Sequence, residues 1–287
     1  MSQTSAAKLP MAGKCVLVTG GTAGIGRATA VELGRLGAEV TVVARDFDKA
    51  EATLDELRAT GAPSPSVLLA DLSQLSSIHG LVDDFRRTHD RLDVLVNNAG
   101  AIFQQRKTTA EGLEQTFALN HMSYFLLTNL LLEPLAKAPA ARVVNVTSET
   151  HRAGRIDFDD LQFDKAWSPY AAYCATKLYN LLFTFELARR FPRLQCNALH
   201  PGLVSSSFGR NNSGWFGALF AIGAPFLMTP EKGARTSVWL ASSPDVEGKS
   251  GGYYKSCKLS QPARAARDVT AQRRLWDESC RLANVSA

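Results

Sequence analysis

Short apolar runs rich in valine and leucine alternate along the chain with longer segments whose apolar residues recur every three or four positions. Cys15-Val-Leu-Val18, within the run Lys14 to Thr19, is continuously apolar, and glycines at 20, 21, 24 and 26 follow at once. That order predicts a strand, a tight turn and a helix start. The alternation continues through a strand at Glu39 to Ala44, a helix at Asp48 to Thr60, a strand at Ser66 to Ala70 and a helix at Leu75 to Thr88. Two more strands are expected at Leu92 to Val96 and Arg142 to Val146, separated by one long helical stretch from about Thr109 to Ala136 whose end Pro134 marks. A helix over Ala171 to Arg190 has Pro169 suited to its first turn and Pro192 to stop it. A sixth strand at Leu194 to Leu199, a helix at Pro230 to Ser242, a seventh strand at Gly251 to Tyr254 and a surface helix around Arg273 to Leu282 complete the reading.

Strands that are apolar throughout and alternate with helices imply a parallel sheet covered on both faces. The expected fold class is therefore α/β, a single doubly wound domain over residues 13–287 with seven parallel strands, behind a flexible N-terminus at 1–12. The segment Ser213 to Met228 breaks the pattern, being rich in Trp, Phe, Leu and Gly. It is shorter than the about 20 residues that a bilayer demands, so no transmembrane segment is expected. Two readings stand: an apolar lid over a substrate pocket, spanning about 204–229, which is favoured, and a weak contact with a membrane surface.

Composition narrows the classes further. The chain has 287 residues, 45% hydrophobic and 21% charged, with a formal charge of +5. Lys and Arg are scattered rather than grouped, which argues against a nucleic-acid site. The five cysteines are widely separated, with no Cys-x-x-Cys pair and no histidines at metal-ligand spacing. Reduced thiols, no metal and a cytoplasmic location are expected, the last also because Met1 to Met11 has no apolar signal core.

Candidate chemistry lies in three places. Between the first strand and its helix, Thr19-Gly-Gly-Thr-Ala-Gly-Ile-Gly26 lets the backbone approach a pyrophosphate at a helix N-terminus. At the end of the second strand, where an acidic residue would bind the ribose 2′-hydroxyl of NAD, the chain has Ala44-Arg45, which would welcome a 2′-phosphate. NADP(H) is therefore favoured over NAD(H), although Asp46 follows at once, as a helix-start aspartate or a ribose contact. Third, Tyr173 and Lys177 stand at i and i+4 and share one helix face, where a fixed cation favours a phenolate. Tyr170 has Cys174 at the corresponding position and is read as a pocket wall or a substrate-loop contact.

These motifs resemble the short-chain dehydrogenase/reductase family over essentially the whole chain, from Gly13 to about Asn284. Thr19 to Gly26 is similar to its Thr-Gly-x-x-x-Gly-x-Gly, Asn97-Asn98-Ala99-Gly100 to its Asn-Asn-Ala-Gly, and Tyr173 to Lys177 to its Tyr-x-x-x-Lys. The resemblance implies a Rossmann-type fold and a catalytic set of Asn120, Ser148, Tyr173 and Lys177. It implies cofactor contacts from Gly20, Thr22, Ala23, Gly24, Ile25, Gly26, Arg45, Asp71, Leu72, Asn98, Ala99, Gly100, Pro201, Gly202, Val204 and Ser206, with Tyr173 and Lys177 again among them. Ser148 is preferred to its neighbour Thr147, and Asn120 would anchor a water leading protons to Lys177. Ser148-Glu-Thr-His151, Gly154 to Leu161, His200-Pro-Gly202 and Arg274 to Cys280 narrow the resemblance to the retinol dehydrogenase-like group. A small apolar carbonyl or alcohol is then the expected substrate, and a homo-oligomer the possible assembly. The alternative is a regulatory or scaffold protein that binds NADP without turnover. His121, His151 and His200 are expected to be structural hydrogen-bonders.

Overall fold

The computed structural model describes residues 9–204 and 228–286. Ser206, most of the apolar loop segment and residues 1–8 lie outside them.

The apolar runs become strands β1 (Cys15–Thr19), β2 (Glu39–Ala44), β3 (Ser66–Leu69), β4 (Val94–Asn97), β5 (Arg142–Val146), β6 (Gln195–His200), β7 (Gly252–Lys255) and β8 (Lys258–Leu259). They form one sheet in the order β3-β2-β1-β4-β5-β6-β7-β8. All pairs are parallel except the last, in which β8 runs back against β7. The sheet thus has eight strands among the described residues rather than seven. The extra one hangs on a two-residue turn, Ser256-Cys257, with φ of +48° and +59°. Such turns usually take Asn-Gly, so the sequence carries no signal for it.

Successive strand residues point to opposite faces. Leu17, Leu95 and Val143 enter one core, and Val16, Val18, Val94, Val96, Val144 and Val146 the other. The second core is closed by α1 (Gly24–Arg35), α2 (Phe47–Ala59) and, past β6, the helix Pro230–Ser242. The first is closed by α3 (Leu75–Thr88), α4 (Ser123–Leu130), α5 (Leu132–Ala136) and α6 (Pro169–Arg190). With Pro230–Ser242 numbered α7, the last helix is α8 (Val269–Ala283).

The long helical stretch expected from Thr109 to Ala136 is broken. Thr108 and Glu114 pair as an isolated bridge around Gly112, whose φ is +80°. Glu114 then caps a single turn at Gln115–Phe117, its Oε2 accepting the Phe117 N–H at 2.7 Å. A five-residue π-helical segment, Ala118–Met122, precedes α4. Pro134 does not end the stretch. It sits in the first turn of α5, where a missing N–H is tolerated.

Ser168 caps α6 through the Ala171 N–H at 3.2 Å, so this helix begins at Pro169. It is buried on nearly every side, because α8 lies over its outer face. Trp276 of α8 stacks on Phe183 at 5.9 Å and meets Phe125 edge-on at 5.1 Å, with the Arg190 guanidinium 4.7 Å from its ring. Each such ring stabilises the fold by about 1.5–3 kcal/mol through burial. Asp268 caps α8, which starts at Val269, four residues before the expected Arg273, and its Oδ1 accepts from Thr270 N at 2.9 Å and Ala271 N at 3.1 Å.

Candidate active site

Strand β1 has β2 on one side and β4 on the other, so the chain leaves the sheet in opposite directions and opens a crevice at the carboxyl ends of the strands. A cleft of about 620 Å³ occupies that place. Its size falls among ordinary ligand sites.

At one end of the cleft the Gly20 to Gly26 turn leads into α1. Gly20 and Gly24 have φ of +63° and +51°, which favours glycine. A Cβ on Gly26 would lie 2.2 Å from the Gly20 carbonyl oxygen and 2.3 Å from the Asn98 amide nitrogen. Only glycine allows the helix to start this close to the strand. Helix α1 has no side-chain cap at Ala23 and no acidic residue in its first turn. Its first N–H groups and positive dipole end are left for an anion, which suits a dinucleotide pyrophosphate.

Thr19, which carried no role at the level of sequence, is the pin that joins this turn to β4. Its hydroxyl donates to Val96 O at 3.3 Å and accepts the N–H groups of Asn98 and Ala99 at 2.9 and 3.0 Å. Asn98 returns the contact, its amide donating to Thr19 O at 2.9 Å and Gly20 O at 3.3 Å. Asn98, Ala99 and Gly100 therefore line the cleft on a fixed backbone.

Arg45 lies at the cleft edge, exposed, and no other described residue pairs with it. Asp46 is occupied elsewhere. It caps α2, accepting the Lys49 N–H at 3.2 Å, and forms an ion pair with the Lys49 ammonium at 3.2 Å. Leu72 and Ala70 line the wall expected to meet an adenine, whereas Asp71 does not. Its carboxylate accepts from the Ser73 N–H and hydroxyl at 3.0 and 2.8 Å.

Toward the centre, β5 ends in two hydroxyls with different partners. Thr147 donates to Lys177 O at 2.6 Å and is buried. Ser148 faces the cleft and hydrogen-bonds the Tyr173 phenol. Burial pushes that phenol well above its ordinary value, and the Ser148 bond brings it only part of the way back. Lys177, one turn along α6, places Nζ 5.6 Å from the Tyr173 ring centre and 3.2 Å from Val146 O. Tyr124 donates to the same oxygen at 3.3 Å. Burial pulls the Lys177 ammonium down to about 7. In the free protein burial outweighs any lowering of the tyrosine by that cation, because desolvation disfavours both charges.

Asn120 sits within the π-helical segment, and its amide is a clamp. Oδ1 accepts the Ala101 N–H at 2.9 Å, while Nδ2 donates to Ala101 O at 2.9 Å and to the Thr176 hydroxyl at 3.1 Å. Both amide hydrogens are thereby occupied, and the side chain braces the Gly100-Ala101 wall against α6. Gly100 lies between it and Lys177, since an added Cβ would be 3.2 Å from Asn120 Oδ1 and 3.4 Å from Nζ.

The far wall includes Pro201, Gly202 and Val204, and also Ile102, Phe103, Leu119 and Leu203, which sequence reasoning missed. Tyr170 lines the mouth, half exposed. His200 lines the cleft too, its Nδ1 accepting the Glu149 N–H at 3.2 Å, and burial pulls it down to about 4, so it is neutral. Ile102, Phe103 and Leu203 share one signal, their position past the carboxyl end of a strand. Val204, at the cleft, bridges Met228.

Residues 14–215 match the family described as short chain dehydrogenase. Human retinol dehydrogenase 11 is 41% identical over 284 residues, covering 97% of this chain and 88% of that protein. Human retinol dehydrogenase 13 is 39% identical over 290 residues, covering 98% and 87%. Among solved structures, an uncharacterized protein from Mycobacterium Paratuberculosis has a TM-score of 0.78 at 32% identity, covering 98% of this chain and 97% of that one. The Pseudomonas aeruginosa RhlG/NADP active-site complex has a TM-score of 0.69 at 27% identity, covering 86% and 96%. With the glycine turn at an uncapped helix, and Ser148, Tyr173 and Lys177 gathered in one cleft, the chain belongs to the short-chain dehydrogenase family of oxidoreductases, within its retinol dehydrogenase-like branch.

Proposed function

We propose that the protein is an NADP(H)-dependent oxidoreductase that interconverts an apolar alcohol and its aldehyde or ketone. The observation that carries this reading is the Ser148–Tyr173 hydrogen bond in a cleft whose other walls suit a dinucleotide and an apolar molecule. Gly20, Thr22, Ala23, Gly24, Ile25 and Gly26 would hold the pyrophosphate, Leu72 the adenine, and Asn98, Ala99, Gly100, Pro201, Gly202 and Val204 the nicotinamide half. Arg45 supports NADP(H), because its guanidinium is open to a 2′-phosphate while the neighbouring carboxylate of Asp46 is engaged in capping. The apolar substrate is supported by Ile102, Phe103, Leu119 and Leu203 in the wall and by the retinol dehydrogenases among the relatives.

The cofactor, when bound, supplies or accepts the hydride. Ser148 Oγ–H then holds the substrate oxygen by a hydrogen bond, and Tyr173 Oη passes a proton to it in reduction or takes one in oxidation. The raised phenol suits the donor role, since it keeps its proton until charge develops on the substrate oxygen. Lys177 Nζ, held by Val146 O, offers its remaining N–H bonds to the cofactor ribose and stabilises the phenolate once the cleft is filled. Asn120 keeps the wall that faces Lys177 in place.

The test is NADPH oxidation across a series of apolar aldehydes and ketones by the native protein and by Tyr173→Phe. Turnover of at least one carbonyl is expected, with a loss of about 100-fold or more in the variant and unchanged NADPH binding. Retained turnover in the variant would refute the assignment. NADPH binding with no turnover of any carbonyl would favour a regulatory protein instead.

A further inference from the structure

The turn after β5 contains a histidine that the proposed chemistry does not use. His151 is fully buried, its ring edge-on to Tyr253 with centroids 5.2 Å apart. Two contacts fix its tautomer. The main-chain N–H of Ala263 points at Nε2 from 3.0 Å, and an N–H can only donate, so Nε2 carries a lone pair. The proton of the neutral ring therefore sits on Nδ1, which lies 2.6 Å from the Ser148 carbonyl oxygen. That oxygen also accepts the His151 main-chain N–H at 3.1 Å. One residue thus holds the Ser148 main chain twice.

The groups packed around the ring strengthen the same anchorage. Glu149 receives hydrogen bonds from the Tyr253 hydroxyl at 3.1 Å and Arg152 Nε at 3.0 Å, and pairs with the Lys255 ammonium. Its own N–H donates to His200, as above. Arg152 Nη2 donates to Gln261 O at 2.7 Å. The turn is tied to β7 and to the 261–263 stretch, and His151 is the tie that ends on Ser148 itself. Burial holds the ring below its ordinary value, which agrees with a neutral imidazole. Protonation would set an Nε2–H against the Ala263 N–H.

We propose that His151 is a positioning residue for Ser148: pinned as the Nδ1–H tautomer by Ala263, it fixes the Ser148 main chain so that the hydroxyl stays on Tyr173 and on the substrate oxygen. This rests on the role given to Ser148 in the proposed reaction. Ser148 Oγ has little else to orient it, because its other contact within the turn is the Thr150 N–H at 3.3 Å.

The test uses two substitutions that separate the ring nitrogens. His151→Gln can set an amide oxygen against the Ala263 N–H but removes the donor to Ser148. His151→Asn keeps an amide N–H near the Nδ1 position and gives up the Ala263 contact. Both are made in the native protein and in Ser148→Ala, and assayed with NADPH and the carbonyl turned over fastest in the series above, with thermal melts and NADPH titrations alongside. His151→Gln is expected to lower kcat about tenfold or more with KM and NADPH affinity within about twofold, and His151→Asn to restore most of the rate. In Ser148→Ala, His151→Gln should have no further effect, since two changes acting through one group are not additive. An unchanged kcat in His151→Gln, an equal loss in His151→Asn, or the same fold-loss with and without Ser148 would overturn the proposal while leaving the role of Ser148 intact. A Ser148→Ala enzyme with native kcat, or no turnover of any carbonyl, would instead remove the reading on which it rests.

Discussion

Lys177 and Tyr173 share the bottom of the cleft, and each is shifted toward its uncharged form by the same cause, loss of water. The ammonium at about 7 against a phenol well above its ordinary range means that the pair is primed by filling the cleft rather than by the fold alone. A bound dinucleotide would bring negative charge into the cleft and ribose acceptors to Nζ, so the Lys177 pKa is expected to rise on binding. At pH 8 the free lysine is mostly neutral, and binding should take up close to one proton. Calorimetry of NADPH binding in buffers of different ionisation enthalpy measures that number, and Lys177→Met should abolish it. No proton linkage at pH 8 would contradict the assigned environment. Arg45 gives a second prediction at this scale. A charge-assisted bond to a 2′-phosphate is worth about 1.5–3 kcal/mol, so Arg45→Ala should weaken NADPH about 10- to 100-fold by titration and leave NADH nearly unchanged. Equal losses for both would point to a merely structural arginine.

Much of the residue level was legible in the sequence, and where it was not the reason is local. The i, i+4 spacing of Tyr173 and Lys177 put them on one face because α6 is a regular helix. Thr147 and Ser148 could be told apart only by resemblance, since two adjacent hydroxyls at a strand end have opposite partners that no pattern records. The bracing of the wall by the Asn120 amide, through Ala101 and Thr176, was not legible, because these contacts depend on how a loop folds back. Thr19 was missed as part of the site for the same reason, since it acts through main-chain groups distant in sequence, whereas His151 and His200 are hydrogen-bonders within the fold, as expected.

The elements that build the site differ in how they end. Helices α2, α6, α7 and α8 each begin with a side-chain cap from Asp46, Ser168, Thr229 and Asp268, whereas α1 begins bare at the cleft. The bare start and the close approach at Gly26 are one device. Gly26→Ala must push the helix off the strand, because its Cβ would meet backbone oxygen and a clamped amide rather than a movable side-chain tip. Such crowding costs about 1–3 kcal/mol, so NADPH affinity should fall at least tenfold and the melting temperature should drop. An alanine variant with native affinity would show that the turn does not touch the ligand. By contrast Asp268→Ala, at the start of α8, should cost about 1 kcal/mol and about 2–4 °C in Tm, with kcat unchanged. Caps of the Ser168 and Asp268 kind were only partly read from sequence. The Pro after Ser168 drew attention to α6, while Asp268 stood in a polar stretch with no such punctuation, which hid the first turn of α8. The stretch from Thr109 to Ala136 misled for a different reason. Its apolar residues keep helical spacing across the Glu114 cap, the π segment and the break at Leu131, so periodicity could not show the interruptions.

At the scale of the whole molecule the function follows from topology. Because β1 lies between β2 and β4, with helices leaving to both faces, one crevice collects the glycine turn, the Asn98 to Gly100 wall, the end of β5 and the start of α6, which are far apart in sequence. The apolar strands made that architecture legible from the outset, and the family relationship agrees with it. The antiparallel edge strand β8 was the exception, being two residues long on a turn without Asn or Gly. In the proposed reaction this crevice moves a hydride between a nicotinamide and an apolar carbonyl under the control of Tyr173. The most direct measurement is isotopic. NADPH deuterated at nicotinamide C4, prepared separately on each face, is incubated with an apolar aldehyde and the product alcohol is analysed by mass spectrometry. Deuterium should appear on the carbinol carbon from one face only, and should be lost with Tyr173→Phe. An alcohol without deuterium from either face, or one formed equally well by the variant, would contradict the account.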